Sequence, residues 1–182
     1  MGEAAPGGQT GWALVLFLAV LGAQRAGELM LSARHVKRLG ARGAKEYGSG
    51  HFPLLIGIHV LFPVSLAAEV FALGARPGRL WPVWLGFWLA AQALRYAAVR
   101  ALGERWTVRI WVLPDMPLVR RGPYRFLRHP NYLAVVIELI AAPLMFGAWR
   151  TAIAITAFNL FALRIRIRAE ENALRGADPV TR

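Results

Sequence analysis

Two groups of residues in this chain have the types and spacing to do chemistry. The first is Tyr124, Arg125, Arg128, His129, Asn131 and Tyr132, inside the stretch LVRRGPYRFLRHPNYLAVVIE at 118–138. The second is Arg166 with Glu170 in the run RIRAEENAL at 166–174. Pro123 and Pro130 lack an N–H and bias the preceding residue away from helix. The backbone from about Gly122 to Asn131 should therefore be irregular or only briefly helical. It would hold donors, acceptors and aromatic faces on constrained backbone, at the mouth of the apolar run that follows. The plainer reading is a basic, membrane-proximal linker with aromatic interface anchors.

The second group gains meaning if its run is helical. At about 100° per residue, Arg166 and Glu170 share one face, while Arg164, Arg168 and Glu171 share the opposite one. The second of these faces neutralises itself at a helix end. The first presents a guanidinium and a carboxylate one turn apart. Snorkelling arginines with a compensating acid, at the end of a helix leaving a membrane, are the structural alternative.

The elements that must position these groups are apolar. The chain has 182 residues, 57% hydrophobic and 18% charged, and a mean hydropathy of +0.42. A soluble domain is nearer a quarter charged, so a membrane protein is the better reading. The net charge of +12 is spread between apolar runs of spanning length, which argues against a nucleic-acid partner. The absence of cysteine excludes disulfides, thiolate metal sites and thiol nucleophiles. Lys37 and Lys45 are the only lysines; with abundant Ala and Gly this hints at a GC-rich, bacterial coding sequence.

Five candidate spans follow in order. The residues Met1 to Thr10 carry no basic group, so the first apolar run, Gly11 to about Ser32, is expected to be a retained helix and not a cleaved signal. Arg25 and Glu28 can share a face there. Residues 33–51 read as a loop, basic through Arg34, Lys37, Arg38, Arg42 and Lys45, with glycines arguing against one continuous helix. Phe52 to about Gly74 is the second span, with a kink possible at Pro63. Leu80 to about Leu102 is the third, with Trp81, Trp84 and Trp88 as an interfacial belt. After a basic connection at 103–130, Asn131–Gly147 and Arg150–Leu163 form an apolar hairpin turning at Gly147–Ala148–Trp149. Its arms are short for the roughly 20 residues of a span; two spans are favoured over a reentrant hairpin, the last helix continuing into water. The basic loops then fall on one side, placing the N-terminus outside and the C-terminus in the cytoplasm. The fold class is thus all-α and polytopic, with residues 1–102 as three membrane helices and 103–182 as the cofactor-binding and catalytic region.

Dinucleotide, P-loop and HExxH signatures are absent, and Ser32, Ser49 and Ser65 sit in no nucleophile elbow. Glu69, Arg95 and Glu138 are costly in lipid; they line an entrance for a lipophilic acceptor, or pair across helices, or sit near enough to the surface to snorkel. Arg25 and Glu28 serve packing or topology, and His59 reads as a satisfied helix-packing histidine.

The motifs GPYRFLRHPNYL at 122–133 and RIRAEENAL at 166–174, in that order and separated by an apolar hairpin, resemble those of the isoprenylcysteine carboxyl methyltransferase-like family of integral membrane methyltransferases. The resemblance covers the C-terminal third of the chain. It implies S-adenosylmethionine as cofactor, with Tyr124, His129, Pro130, Asn131, Tyr132 and Glu170 in contact with it. It implies that Met116, Pro117, Leu118 and Val119 line the same pocket, mostly through backbone, and that Arg166 lies near the methyl acceptor as the catalytic residue. Arg109 falls where some members carry a glutamine, a departure from the pattern. The physics agrees. Glu170 can meet the cofactor's amino group; His129, Arg128 or backbone N–H groups its carboxylate; Tyr124, Tyr132 or Leu133 its adenine. An anionic oxygen acceptor needs an arginine to hold it, and neither strong base nor metal. The implied acceptor is a lipophilic, acidic molecule in the membrane. A prenylated cysteine carboxylate is the family reaction; in a bacterial plasma membrane an alkylpyrone or alkylresorcinol hydroxyl fits the same logic, and phospholipid amine methylation is a further possibility. A non-catalytic lipid-binding protein, holding anionic headgroups on its basic face, is the alternative from another class.

Overall fold

The computed structural model describes residues 6–114 and 117–176. Among them are five α-helices and one short sheet. Helix α1 (Pro6–Ala41) has 36 residues, about 54 Å at ~1.5 Å per residue, far longer than a bilayer core of about 30 Å. It was expected to stop near Ser32; it continues through the basic segment. A glycine costs a helix only about 1 kcal/mol, and tertiary packing offsets that here. Ser32, His35 and Leu39 are buried along one face, and Gly40 lies against the Trp111 ring. The helix ends in a left-handed turn: Gly43 has φ of 87°, its N–H donates to Gly40 O, and Ala44 N–H donates to Leu39 O.

A two-stranded antiparallel sheet follows, β1 (Lys45–Tyr47) against β2 (Ile110–Val112), with Glu46 opposite Trp111. It was not anticipated, since three-residue strands carry no readable alternation. It joins the two basic connections of the chain.

Helix α2 (Phe52–Phe71) keeps Pro63 inside it and buries Leu55, Ile58, Phe62, Leu66, Glu69 and Val70. Helix α3 (Trp81–Leu102) buries Ala91, Ala98 and Ala101, and α4 (Pro130–Met145) buries Ala134, Ala141 and Ala142. These small residues let the two backbones pack closely along their length. Helix α5 (Trp149–Gly176) is 28 residues long. The turn into it depends on Gly147, whose φ is 76° and whose hydrogen faces the chain: a Cβ there would sit 1.9 Å from the Arg76 carbonyl oxygen.

The charges inside the bundle pair across helices. Arg25 meets Glu28 and Glu138, each at 2.6 Å. Arg95 meets Glu138 directly and Glu28 at 3.4 Å. Glu69 also bonds across helices, but to backbone and a hydroxyl and not to a charged side chain. Its carboxylate accepts from the backbone N–H groups of Arg150 (3.1 Å) and Thr151 (2.7 Å) and from the Thr151 hydroxyl. It thereby caps the N-terminus of α5 from a different helix. His59 contacts Leu55 O at 2.8 Å through Nδ1, as a helix-packing histidine should.

Among the described residues, the α1 segment Gly8–Ala41 and the helix Phe52–Phe71 are long and apolar enough to cross a membrane. Helix α4, at 16 residues, spans about 24 Å. Large apolar side chains nonetheless face outward on every helix, among them Leu16, Val64, Phe87, Leu133 and Phe161. Such a continuous apolar exterior is foreign to a soluble monomer.

Candidate functional site

The site is built where the N-terminus of α4 meets the C-terminal half of α5. Residues 122–125 form a single 3₁₀ turn, GPYR, and Pro130 opens α4. Proline costs nothing at that position, because the first N–H groups of a helix have no partner within it. Gly122 has φ of 56° and a Cβ there would press on that of Ala101 at 3.2 Å, so the turn is seated directly on α3. The short, constrained backbone expected from the prolines is present.

The first turn of α4 turns Tyr132 toward α5, where Arg166 and Glu170 lie one turn apart. Both converge on its hydroxyl. The Tyr132 O–H donates to Glu170 and accepts from Arg166 Nε at 2.8 Å. Arg166 Nη2 donates to Val108 O at 2.7 Å, and its guanidinium lies over the Tyr132 ring, 5.5 Å from the centroid. The His129 ring stacks on Tyr132 at 5.2 Å with 13° between planes. Its Nδ1 is 4.0 Å from Glu170 and its Nε2 is 3.7 Å from Glu171. Burial pushes the Tyr124 phenol well above its ordinary pKa, and the Glu170 charge adds to the shift; Tyr124 stays neutral.

These side chains wall a cavity of about 570 Å³, within the range of small-molecule sites. Pro117, Leu118, Val119, Tyr124, His129, Asn131, Tyr132, Arg166 and Glu170 all line it. The 117–119 segment is held by Arg105, which donates to Pro117 O at 2.6 Å. Met116 falls outside the described residues. Pro130 is fully buried behind the wall; its contribution is to the backbone. Leu133, a candidate adenine neighbour, is 41% exposed and lies off the cavity. Glu171, read as part of the self-neutralising face, lines the cavity beside His129, because the cavity wraps further around α5 than one helical stripe.

Several contributors escaped the sequence. Trp106 and Leu113 supply apolar wall, and Val108 supplies a carbonyl; none belongs to a motif. Arg109 is anchored by Glu46 at 3.0 Å and lies 4.5 Å over the Phe52 ring, yet still reaches the cavity.

The donor set fits S-adenosylmethionine. A carboxylate, Glu170, faces the cavity for an ammonium group. His129 and Arg128 line the same cavity and offer donors for a carboxylate group. Aromatic faces are offered by Tyr124 and Tyr132. Asn131 Oδ1 is buried without a hydrogen-bond partner, an acceptor that a ligand donor would satisfy. No group of three or more His, Cys, Asp or Glu capable of holding a metal occurs among the described residues.

An apolar-surfaced helical bundle with a charged, aromatic cavity at its basic end defines a membrane-associated protein with a polar small-molecule site. The chain belongs to the isoprenylcysteine carboxyl methyltransferase (ICMT) family, whose model matches residues 84–176, a membership that points to a membrane methyltransferase-like function. Uncharacterized protein YpbQ of Bacillus subtilis (strain 168) is 38% identical over 160 residues, covering 88% of this chain and 95% of the relative. An uncharacterized protein of Haemophilus influenzae (strain ATCC 51907 / DSM 11121 / KW20 / Rd) is 33% identical over 147 residues, covering 80% of this chain and 86% of its own length. No solved structure matches the chain.

Proposed function

We propose that this protein is an S-adenosylmethionine-dependent O-methyltransferase acting on a lipophilic, acidic acceptor that arrives from the bilayer. The observation that carries the reading is the convergence of Arg166 and Glu170 on the Tyr132 hydroxyl at the wall of one cavity. Bound cofactor supplies a methyl group already activated on a sulfonium, so the protein's work is alignment and exclusion of water. Glu170 takes the ammonium end, with Tyr132 fixing its carboxylate. His129 and Arg128 take the carboxylate end. Tyr124, neutral because buried, offers a flat face and no charge.

Arg166 is the acceptor-holding residue. Its bonds to Tyr132 and Val108 fix the plane of the guanidinium. Arginine carries more donors than these two bonds use, so its outer edge is free to grip an anionic oxygen. A cationic amine would be repelled there, which favours O-methylation over phospholipid N-methylation. A prenylcysteine-like carboxylate and an alkylpyrone-like enolate both satisfy the site; the alkylpyrone branch suits a bacterial plasma membrane.

Five membrane-crossing helices support this reading best, with the N-terminus outside and the cavity opening to the cytoplasm. The outward apolar residues of α3, α4 and α5 and the basic loops at one end both favour it. The test is transfer of labelled methyl from S-adenosylmethionine, in membranes holding the protein, to N-acetyl-S-farnesylcysteine and to an alkylpyrone. Transfer to either, lost in Arg166→Ala, supports the assignment. Labelling of phosphatidylethanolamine in their place would overturn the oxygen acceptor.

A further inference from the structure

The unexpected length of α1 has a consequence for the site at the other end of the chain. Its last turns carry Ser32 and His35, three residues apart on one face and both buried. The Ser32 hydroxyl accepts the Val108 N–H at 2.9 Å. The His35 ring contacts Trp106 O at 2.7 Å through Nδ1; a carbonyl accepts only, so that nitrogen carries the proton. Trp106 is buried beside them. On α1 one turn further on, Arg38 pairs with Glu104 at 2.6 Å. The segment 104–108 is thus strapped to α1 at successive points. The carbonyl of Val108, the same residue whose N–H Ser32 holds, receives Arg166 Nη2.

We infer that Ser32, supported by His35, is a positioning residue for Arg166: it fixes the Val108 backbone, and Val108 fixes the guanidinium that faces the acceptor. Both residues lie outside the part of the chain that the family model matches. This rests on the acceptor-holding role proposed for Arg166, but the geometric link can be tested without it. Arg166 has two anchors. Tyr132 holds Nε, and Val108 holds Nη2; with the second loosened, the guanidinium can turn about the first. A planar fork that must present its outer edge to an oxygen is sensitive to that rotation. The cofactor side depends on Glu170, Tyr132 and His129, which Ser32 does not touch, so the effect should separate acceptor chemistry from cofactor binding.

The experiment compares wild type with Ser32→Ala and the conservative Ser32→Thr, in three readouts on detergent-purified full-length protein. The first is hydrogen–deuterium exchange of the peptide containing Val108. The second is the rate at which phenylglyoxal modifies Arg166, read by mass spectrometry against Arg164 and Arg168 as internal references. The third is S-adenosylhomocysteine affinity together with kcat and KM for methyl transfer to N-acetyl-S-farnesylcysteine. A lost hydrogen bond of ordinary strength corresponds to roughly five- to tenfold. Ser32→Ala should raise Val108 exchange and Arg166 modification by about that factor, with the reference arginines unchanged. It should lower kcat similarly while S-adenosylhomocysteine affinity stays within about twofold, and Ser32→Thr should restore all three. Faster Val108 exchange with unchanged Arg166 modification would overturn the link, as would unchanged exchange or a parallel loss of S-adenosylhomocysteine affinity. Failure of wild type to bind S-adenosylhomocysteine would sink the methyltransferase reading instead, and the modification result would still decide the link.

Discussion

Replacing Glu138 by glutamine should destabilise the fold by about 3–5 kcal/mol, the usual cost of removing one partner from a buried ion pair. Glu138 is 3% exposed and serves two guanidiniums: Arg25 at 2.6 Å on one oxygen and Arg95 on the other. Glu28 also reaches both, so the four charges cancel within one cluster joining α1, α3 and α4. Glutamine keeps the shape and some hydrogen bonding but leaves two cations sharing one carboxylate. At an effective dielectric of about 20, a unit pair at ~4 Å is worth about 4 kcal/mol, so the loss at these closer contacts is not small. The assay is reversible unfolding in mixed micelles, followed by helical circular dichroism against the fraction of denaturing detergent. The double change Arg95→Met with Glu138→Leu removes one charge of each sign and leaves Arg25 with Glu28. It should cost less than the sum of the single changes by at least ~1.5 kcal/mol. Glu138→Gln within about 0.5 kcal/mol of wild type, or additive behaviour of the pair, would refute the reasoning.

Other outcomes follow from particular contacts. Gly147→Ala should cost about 2 kcal/mol or more: the left-handed backbone alone accounts for roughly 1–2, and the Cβ would overlap the Arg76 carbonyl. Gly78→Ala, with open space at its Cβ, is the control in the same unfolding assay. Arg166→Lys should leave S-adenosylhomocysteine affinity within about threefold and reduce methyl transfer by about tenfold or more, because a lysine cannot span Val108 O and the Tyr132 hydroxyl with a planar fork; isotope transfer measures it. The cysteine-free chain makes topology accessible: in spheroplasts, an impermeant maleimide should label Gly78→Cys and leave Arg120→Cys unlabelled until the membrane is opened.

What could be read from the residues was chemistry that sits on a regular period or on a constrained turn. Pro130 opening a helix brings Tyr132 into its first turn, and Arg166 with Glu170 one turn apart share a face; both are local facts, and the cavity assembles from them. The apolar runs of α2 to α5 were legible for the same reason. The first helix was legible from Gly11 to Ser32 but not beyond, because the glycines that follow suggest a break whereas a buried face of Ser32, His35 and Leu39 holds the helix past Gly40. The sheet escaped because Lys45–Tyr47 and Ile110–Val112 are too short to alternate visibly. The particular partners of Glu69 escaped for a deeper reason: they are the backbone N–H groups at the start of α5, and no side-chain pattern marks a backbone partner. The same applies to the Val108 carbonyl that orients Arg166.

The cofactor cavity is tested most directly by calorimetric binding of S-adenosylhomocysteine to the detergent-purified protein beside Glu170→Gln. Glu170 is the carboxylate assigned to the ligand's ammonium group, and a charge-assisted hydrogen bond contributes about 1.5–3 kcal/mol. Saturable binding by wild type, weakened at least tenfold in the variant with unfolding midpoints alike, is the predicted result. A well-folded wild-type protein that binds no S-adenosylhomocysteine would contradict it, and would shift the basic end of the bundle to a lipid-binding role.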